Sequence, residues 1–530
     1  LSAVQSSRRA TETVANAFFR RDAGIAKTAF AAFPLDCELK LRIKVPEGFA
    51  FYALYPEQYQ AAAMAWHKVH GAAGTKDVWI VGIRSIGTTL SALVKVVLEC
   101  QGWHARRCAI RPTGHPFDRQ IELPMEIHAA SLAIVVDEGP GLSGSSMAAV
   151  ALALRRRGIP AISFFPAHRN GPGPEASDAV RRCWLETPVF APGGFERRIV
   201  AGRSCKDLSG GKWRERAFAS RAEWPAVASR FERIKFLETT NDEHRVLWKF
   251  TGFGEFARPG RTSFELLGQQ VATGDGAGFQ LRPFRYQQGF AAFPWVEGRR
   301  IQRGETDPAL LARVAAYIAG STGPALSSSE IEKGFQRLCT MLCCNSGEAL
   351  GEEAACAAEK LAQHAQFVDE CRAYTDGRMA PWEWLRAPGG KTGIVKTDWA
   401  GHEIDHTLVG RQPIFWDIAG VLLEWGLAGP ARESFLAALK SRNLGIEAGS
   451  ERFYCAAYAA FRLGVMTLAA SDEADCGERM RLGRAIDYYR EKLRSVLNMK
   501  AAPFPNARWH SSCAAARPNP SVPESSIQPA

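Results

Sequence analysis

Apolar and polar residues alternate along residues 76–166 in a pattern that predicts buried strands separated by amphipathic helices. Four apolar runs are strand-like: 78–83, 105–111, 132–136 and 161–165. Between them, residues 87–102 and 143–158 show the 3.6-residue periodicity of helices. The second helical segment starts with serines and ends with three arginines and Gly158, which are start and stop signals. Strands that alternate with helices predict a parallel α/β sheet.

A different pattern begins near residue 230. Two apolar-rich runs at 230–238 and 244–256 predict a β-hairpin, and FELLGQQVA at 264–272 predicts a helix. Long helical patterns fill 307–375 and 428–497. A chain of 530 residues is too long for one ordinary core, so we expect several domains. We predict an N-terminal segment 1–49, an α/β domain 50–200, a linker 201–231, a second domain 232–500 and a disordered Pro/Ser-rich tail 501–530.

Composition and charge restrict the class of protein. Hydrophobic residues make up 46% of the chain and charged residues 23%, as in globular proteins. The net charge of +11 favours anionic partners such as phosphorylated small molecules. Because no dense Lys/Arg tract with interleaved aromatic residues occurs, we do not expect nucleic acid as a partner. No uninterrupted apolar run reaches the roughly 20 residues that span a bilayer, so we expect no membrane segment.

The cysteines and the first residues bear on the compartment. The 13 cysteines are an odd number without paired zinc spacing, so we expect reduced thiols and a cytoplasmic protein. The chain starts without the apolar core of a secretory signal. Its basic, Ser/Ala-rich start weakly resembles an organellar presequence, but a frayed terminus explains it as well and is the interpretation we prefer.

The strand at 132–136 ends on two acids, Asp137 and Glu138, and a loop of small residues follows at once. Adjacent carboxylates repel each other and resist burial, so their position at a strand end indicates a function. Backbone N–H groups of residues 141–146 can point at a phosphate, and the dipole of the following helix adds attraction. The acids lie where two vicinal ribose hydroxyls could donate to them. This predicts a ribose-phosphate clamp; a solvated strand end is the alternative.

This order of strand, two acids and small-residue loop resembles the type I phosphoribosyltransferases. The resemblance covers about residues 50–190 and implies that a base displaces pyrophosphate from phosphoribosyl pyrophosphate with the help of Mg²⁺. It also implies a pyrophosphate loop after the first strand and a mobile lid at 111–124. The family favours a Thr-Thr-Gly-Gly-Thr run where this chain has Gly-Leu-Ser-Gly-Ser. A domain that keeps the phosphate pocket without transfer chemistry is the alternative.

The resemblance assigns roles to specific residues. The implied phosphoribosyl-binding residues are Asp137, Glu138, Gly141, Leu142, Ser143, Gly144, Ser145 and Ser146. The implied pyrophosphate loop consists of Arg84, Ser85, Ile86, Gly87 and Thr88. The lid offers three catalytic candidates: Arg111, His115 and Arg119. Farther along, His168 and Asn170 border the acceptor site or belong to a turn stabilised by Pro and Gly.

The second concentration of ionisable groups lies at residues 393–420. Asp398 and Asp417 each follow a β-like run, nineteen residues apart. Two carboxylates at strand ends that converge on one cleft suit a general base plus a magnesium ligand. We interpret His402, which lies between them, as a structural polar residue.

These residues resemble the aminoglycoside phosphotransferase and choline kinase group of kinase-like enzymes. The resemblance covers about residues 232–495 and implies Asp398 as the catalytic base and Asp417 as a metal ligand. Where the family has an Asn metal ligand, the nearest counterpart is His406, and Asp405 could substitute for it.

The same resemblance implies a nucleotide site upstream. Lys249 and Glu265 are placed like the strand lysine and helix glutamate that align ATP phosphates. A surface lysine and an ordinary helix glutamate are the alternative. Residues 290–301 resemble the hinge between kinase lobes, and no clear Gly-rich loop precedes Lys249.

The two halves together predict an α/β parallel-sheet phosphoribosyltransferase-like domain followed by an α+β kinase-like bilobal domain. We expect a small-molecule transferase that uses Mg²⁺ and ATP. Its other expected partners are phosphoribosyl pyrophosphate, or another ribose phosphate, and a small-molecule acceptor that the sequence does not identify. The alternative is a ligand-sensing or regulatory protein with non-catalytic pockets.

Overall fold

A computed structural model describes most of the chain. The described residues are 3–22, 24–25, 27, 46–72, 76–127, 132–141, 143–173, 176–253, 278–320, 327–365, 376–387, 393–399, 402, 412–471 and 473–499. The predicted helix at 264–272 and the predicted tail at 501–530 lie outside these residues. The chain divides into two units, Leu1–Ala201 and Gly202–Ala530.

The first unit alternates strands and helices, as its apolar pattern predicts. Its strands are β1 (Asp77–Ile83), β2 (His104–Ile110), β3 (Thr113–His115), β4 (Asp118–Gln120), β5 (Leu132–Val136) and β6 (Ala161–Phe165). Its helices are α1 (Ala3–Arg20), α2 (Glu47–Ala50), α3 (Pro56–His70), α4 (Gly87–Cys100), α5 (Ser145–Arg156) and α6 (Asp178–Glu186).

Four strands of the first unit form a parallel sheet in the order β2-β1-β5-β6, which confirms the predicted parallel sheet. Side chains of β1 alternate between two apolar clusters. Val78 and Ile80 pack with residues of α3 and α4, whereas Trp79 and Val81 pack with residues of α5 and α6. The sheet is therefore covered by helices on both faces, as parallel sheets require.

Helix α1, in the segment expected to precede the α/β domain, belongs to the first unit. Glu12 on this helix accepts from Lys95 of α4 at 3.0 Å and from Arg107 of β2 at 3.1 Å. Arg107 in turn donates to the carbonyl oxygen of Thr88 at 3.1 Å. The helix thus supports the start of α4 from outside the sheet.

The second unit is an α+β structure. Its strands are β7 (Ser204–Asp207), β8 (Lys235–Thr239), β9 (Arg245–Phe250), β10 (Arg285–Gln287), β11 (Phe290–Pro294), β12 (Arg299–Arg300), β13 (Trp384–Arg386) and β14 (Ile394–Lys396). Its helices are α7 (Arg214–Ala217), α8 (Pro308–Gly320), α9 (Ser328–Leu350), α10 (Glu352–His364), α11 (Phe415–Glu424), α12 (Gly429–Lys440), α13 (Ala448–Ser471) and α14 (Cys476–Leu497).

Strands β7 to β11 form a five-stranded antiparallel sheet in the order β10-β11-β9-β8-β7. The β8–β9 pair confirms the predicted hairpin. Residues 201–231, which the sequence predicts to be a linker, belong almost entirely to the second unit and include the edge strand β7. Strands β12, β13 and β14 form a separate three-stranded sheet in that order. In the chain, β12 follows the five-stranded sheet, whereas β13 and β14 come after α10 and before α11.

Residues 208–234 connect β7 to β8 and are called the strap below. Neighbouring antiparallel strands are usually joined by two to five residues, whereas this connection has 27. Arg214 in the strap donates to both carboxylate oxygens of Glu478 on α14, at 3.0 and 2.8 Å. The backbone N–H of Val227 donates to the same carboxylate at 2.8 Å. This buried ion pair ties the strap to the helices.

The helices of the second unit share one large apolar core, to which α8, α9, α11, α13 and α14 contribute. The apolar helix α13 has the length and hydropathy of a membrane span, but most of it is buried inside this core. Its interior position explains its composition, because a helix surrounded by others is apolar on every side.

Candidate functional site

The first unit has a crevice at the carboxyl ends of β1 and β5. These strands are neighbours, but the chain leaves β1 through α4 towards β2 and leaves β5 through α5 towards β6 on the other side. Ligands of open α/β sheets bind at such a switch point. Gly87 permits the close approach here, since a Cβ at this position would lie 2.6 Å from the carbonyl oxygen of Val136.

Asp137 and Glu138 lie at this crevice, directly after β5. Glu138 accepts from the backbone N–H of Gly48 at 2.7 Å, and Tyr59 donates to the carbonyl oxygen of Asp137 at 2.7 Å. Burial, with the Asp137–Glu138 repulsion, raises the pKa of Asp137 well above its usual value. Burial, with a contribution from Glu47, raises the pKa of Glu138 to about 7. Among the described residues, neither acid has a cationic partner.

The expected phosphate loop contacts the expected lid. The lid segment contains the β3–β4 hairpin, and the carbonyl oxygen of Pro116 at its turn accepts from Ser143 Oγ at 2.8 Å and Ser145 Oγ at 2.5 Å. Gly144 has a φ of 58°, and a Cβ there would lie 2.7 Å from Pro172. The loop is therefore held compactly at the start of α5, with its hydroxyls engaged by the hairpin.

The other predicted residues of the first unit lie around this crevice. Arg84, Ser85, Ile86 and Thr88 lie between β1 and the first turn of α4. On the hairpin side, His115 accepts from the N–H of Phe117 at 3.3 Å and Arg119 donates to Gly114 O at 2.7 Å. The following are exposed or half-buried residues of the crevice region: Arg111, Gly141, Ser146, His168 and Asn170. Leu142 lies outside the described residues.

The second unit contains a deep pocket between its two sheets and α13. The strap lines one wall, and residues 294–296 line another, within the segment that resembles a hinge. Lys249, Asp398 and Arg300 line one end of the pocket. We call the group formed by Lys235, Lys249, Arg300 and Asp398 the cationic end.

Asp398 pairs with two lysines at the cationic end. Lys235 and Lys249 are opposite each other on β8 and β9, so their side chains share one face of the sheet. Lys235 Nζ lies 3.1 Å from Asp398 Oδ2, and Lys249 Nζ contacts Oδ1. Burial alone would raise the pKa of Asp398, but Lys235, Lys249 and His402 hold it well below its usual value. Asp398 is therefore ionised at neutral pH.

Burial disfavours the charged forms of two cations at this end, Lys249 and Arg300. Burial lowers the pKa of Lys249 to about 8 despite the attraction of Asp398. Burial likewise lowers the pKa of Arg300 to about 10, although Asp398 and Glu383 oppose the shift. Arg300 donates to Thr397 Oγ1 at 2.5 Å and to Trp382 O at 3.1 Å, which are uncharged acceptors. An added anion would stabilise all of these cations.

Asp376 forms a second buried network beside the pocket. Its carboxylate lies 3.2 Å from Lys396 Nζ, accepts from Tyr317 at 2.5 Å, and lies 3.1 Å from His402 Nδ1. The other ring nitrogen of His402 lies 3.4 Å from Asp398, so the imidazole bridges the two aspartates. Next in the chain after Asp376, Gly377 and Arg378 line the pocket. These contacts agree with a positioning role for His402.

Asp417, expected to be a metal ligand, has a different environment. Its two oxygens accept from the backbone N–H groups of Asp376 and Gly377 at 2.7 and 2.9 Å. Its side chain is buried at the start of α11, and burial together with Asp376 raises its pKa to about 7. The oxygens are thus used to hold the turn at 376–377.

Several residues of this site were not found by sequence reasoning. Asp376 follows a long helical pattern without a strand before it, and Lys235, Arg300 and Lys396 look like ordinary strand residues. The one signal in the sequence is Asp376-Gly377, an acid next to glycine after the helical pattern. Three residues considered from the sequence lie outside the described residues: Glu265, Asp405 and His406.

The donor set at the cationic end fits Mg²⁺. This ion binds through one or two carboxylates together with waters and substrate phosphates. Asp398 and Glu383 are carboxylates that line the pocket. Within the described part of the chain, no group of three or more His, Cys, Asp or Glu side chains could hold a metal alone. A magnesium ion at this site would therefore share its coordination with ligand phosphates.

Comparisons with known proteins give structural likeness only. Neither a family model nor a curated protein matches this sequence. The choline kinase LicA of Streptococcus pneumoniae is 14% identical, with 48% of this chain and 89% of that chain covered and a TM-score of 0.33. The macrolide 2′-phosphotransferase MphH of Brachybacterium faecium is also 14% identical, with 50% and 91% covered and a TM-score of 0.31.

A third solved structure is a putative fructosamine-3-kinase of Thermobifida fusca, 12% identical, with 56% of this chain and 97% of that chain covered and a TM-score of 0.28. TM-scores this low decide neither fold nor activity. The contacts of the chain's own residues are therefore the basis for its function.

The pKa of Glu138 predicts a pH-dependent stability of the first unit. Because folding raises this pKa from 4.5 to about 7, the native state keeps a proton that the unfolded chain releases. The associated stability is complete below about pH 4.5 and is lost as pH rises through 7. Chemical unfolding at pH 5 and pH 8 should show that Glu138→Gln reduces the loss between these pH values by roughly 2–3 kcal/mol.

The same substitution at Glu122, an exposed residue between β4 and β5, is the matched control and should leave the pH dependence as it is. An unchanged pH dependence in Glu138→Gln would show that the acid is solvated rather than buried.

Proposed function

We propose that the second unit transfers a phosphoryl group from a nucleoside triphosphate to a hydroxyl group of a small molecule. The observation that carries this proposal is the cationic end of the pocket, where Lys249 and Lys235 contact one carboxylate, Asp398. Several buried cations gathered at one end of a pocket favour an anionic ligand. Pocket residues 294–296, at the end of strand β11, offer backbone groups to the remainder of the nucleotide.

Lys249 and Lys235 would bind the phosphates, and Arg300 would add a third positive charge. Asp398 lines the pocket and stays ionised at neutral pH, which suits a metal-binding oxygen. Asp398, with Glu383 beside it, would hold Mg²⁺. When bound, the ion neutralises charge on the phosphate oxygens during transfer.

Asp376 would orient the acceptor hydroxyl and take its proton. It is the remaining aspartate of the network, and the next two residues, Gly377 and Arg378, line the pocket. Phosphoryl transfer depends more on orientation than on early deprotonation, so a carboxylate fixed by Lys396 and Tyr317 suits this role. Asp417 would position Asp376 through the two backbone N–H bonds. These proposed roles differ from the sequence-based expectation, in which Asp398 is the catalytic base and Asp417 the metal ligand.

Three substitutions separate these roles. Asp376→Asn should lower kcat about 10²- to 10⁴-fold and leave Mg²⁺–ATP affinity nearly unchanged, because it removes the proton acceptor. Asp398→Asn should weaken Mg²⁺–ATP binding at least tenfold, because it removes the metal oxygen. Asp417→Asn should lower the Tm, because one backbone N–H loses its acceptor. ATP hydrolysis, calorimetry and thermal unfolding measure the three effects.

Asp242→Asn, at an exposed position in the turn between β8 and β9, is the control, and all three measurements should match the unchanged protein. If Asp417→Asn loses Mg²⁺–ATP affinity without a change in Tm, the original assignment of Asp417 as the metal ligand is supported instead.

We also propose that the first unit binds phosphoribosyl pyrophosphate or another ribose phosphate. The supporting observation is the pair Asp137–Glu138 at the switch-point crevice, which has no cationic partner among the described residues and whose pKa values are raised by burial. Ribose hydroxyls together with Mg²⁺ would supply that partner. The Ser143–Ser145 loop at the start of α5 would bind the 5′-phosphate after the hairpin moves away from it.

Calorimetry with phosphoribosyl pyrophosphate and Mg²⁺ tests the first unit. Combining Asp137→Asn with Glu138→Gln should weaken binding by roughly 1–3 kcal/mol, the loss of two charge-assisted hydrogen bonds. Ser145→Asp should abolish binding, because it places a negative charge against the phosphate. The exposed Glu122→Gln is the control. No binding to the unchanged protein would remove the proposal for this unit, and retained binding by Ser145→Asp would exclude the loop as the phosphate site.

A further inference from the structure

The pocket of the second unit has a second end that differs from the cationic end. We call this the apolar end; it is lined by Trp213, Val227, Phe231, Phe461, Val465 and Met466. Tyr458 and Arg462 line the pocket from the same helix, α13. Positions 458, 461, 462, 465 and 466 recur at intervals of three or four residues, so they form one face of this helix. Helix α13 therefore presents rings and aliphatic side chains to the pocket.

The strap forms the opposite wall of the apolar end. Trp213, Val227 and Phe231 are strap residues. The wall is fixed to α14, because Glu478 binds both the Arg214 side chain and the Val227 backbone. Trp213 is held as well, since its indole N–H donates to Glu232 at 2.8 Å. The apolar end is thus a preformed enclosure rather than an open surface.

Every carboxylate that lines this pocket already has a partner. Glu424 lies 3.2 Å from Arg462 and 3.4 Å from Arg303, and it accepts from Tyr489 at 2.6 Å. Glu383 accepts from Lys396 at 2.8 Å, and Glu232 accepts from Trp213. Among the described residues, Glu424 and Glu232 are the carboxylates that a cationic acceptor would meet at the apolar end, and they are already paired with two arginines and with Lys235, respectively.

Two tryptophans that line the pocket, Trp213 of the apolar end and Trp382, also face cations of the chain itself. The guanidinium of Arg300 lies 5.7 Å from the ring centre of Trp213, and that of Arg303 lies 5.9 Å from the ring centre of Trp382. A ring that already faces an arginine is a poor site for a second cation, since the two positive charges repel. The enclosure is thus suited to an uncharged, apolar group.

We infer that the phosphoryl acceptor is an alcohol whose non-reacting part is uncharged and apolar, an aliphatic or aromatic alcohol rather than an amino alcohol or a sugar. This rests on the phosphotransferase function proposed above. The acceptor oxygen forms a bond to the γ-phosphorus, and the bond from that phosphorus to the β–γ bridging oxygen breaks. The nucleoside diphosphate leaves with the electron pair, and the hydroxyl proton passes to Asp376.

Choline and 3,3-dimethyl-1-butanol give a matched test, because they have the same shape and differ by one positive charge. With the full chain, Mg²⁺ and ATP, the neutral alcohol should be phosphorylated with a kcat/KM at least tenfold higher. Along the series from 1-propanol to 1-hexanol, kcat/KM should rise about threefold to fourfold for each methylene that enters the apolar end. Equal or better turnover of choline, or of glucose, would overturn the inference.

Variants locate the effect in the apolar end. Val465→Trp should fill the enclosure and reduce kcat/KM for 1-hexanol at least tenfold, with Mg²⁺–ATP affinity unchanged. Val465→Ala, which avoids overpacking, should reduce it about threefold to tenfold. Val69→Trp, at a valine that is 67% exposed in the first unit, is the control and should change nothing. A wild-type response in both Val465 variants would also overturn the inference.

Binding measurements distinguish this inference from the proposed function itself. Calorimetry first establishes Mg²⁺–ATP binding, whose absence would remove the phosphotransferase proposal. With a non-hydrolysable ATP analogue and Mg²⁺ bound, 1-hexanol should then show saturable binding that Val465→Trp abolishes. Normal nucleotide binding without saturable 1-hexanol binding would leave the phosphotransferase proposal standing and overturn only the acceptor class.

Discussion

The carboxylate of Asp398 lies between two lysines of neighbouring strands, and this contact joins the five-stranded sheet to the segment that follows β14. A buried ammonium without a counter-charge is costly, so Asp398 stabilises the charged forms of Lys235 and Lys249 in the absence of a ligand. The same three groups are those that phosphates and Mg²⁺ would bind. Stability of the pocket and affinity for an anionic ligand therefore depend on one cluster of charges.

The charge distribution along the pocket accounts for the roles proposed for its two ends. Cations gather near Lys249, whereas charges near α13 cancel within the pair of Glu424 and Arg462. The strap extends from the edge of the sheet to α14 and encloses both ends. A polar nucleotide and an apolar acceptor would thus occupy different ends of one cavity, with Asp376 beside it.

The sequence predicts the parts of the structure that follow from local periodicity. The parallel sheet of the first unit and the β8–β9 hairpin are confirmed, because apolar runs and turn signals specify them over short distances. The roles of Asp398 and Asp417 depend on contacts with Asp376, Lys235 and Lys249 that span 41 to 163 residues of chain. The predicted linker 201–231 includes most of the strap. Local sequence does not reveal that this segment is fixed, because the ion pair between Arg214 and Glu478 joins residues 264 positions apart.

Titration of the full chain with ATP, ADP and AMP in the presence of Mg²⁺ tests the central claim most directly. If the cationic end binds phosphates, affinity should fall by at least tenfold from ATP to AMP, and Lys249→Met should remove most of that difference while AMP binding persists. Lys206→Met, at an exposed lysine of β7, should behave like the unchanged protein. Equal affinity for ATP and AMP, or a Lys249→Met variant with the original preference, would contradict the account.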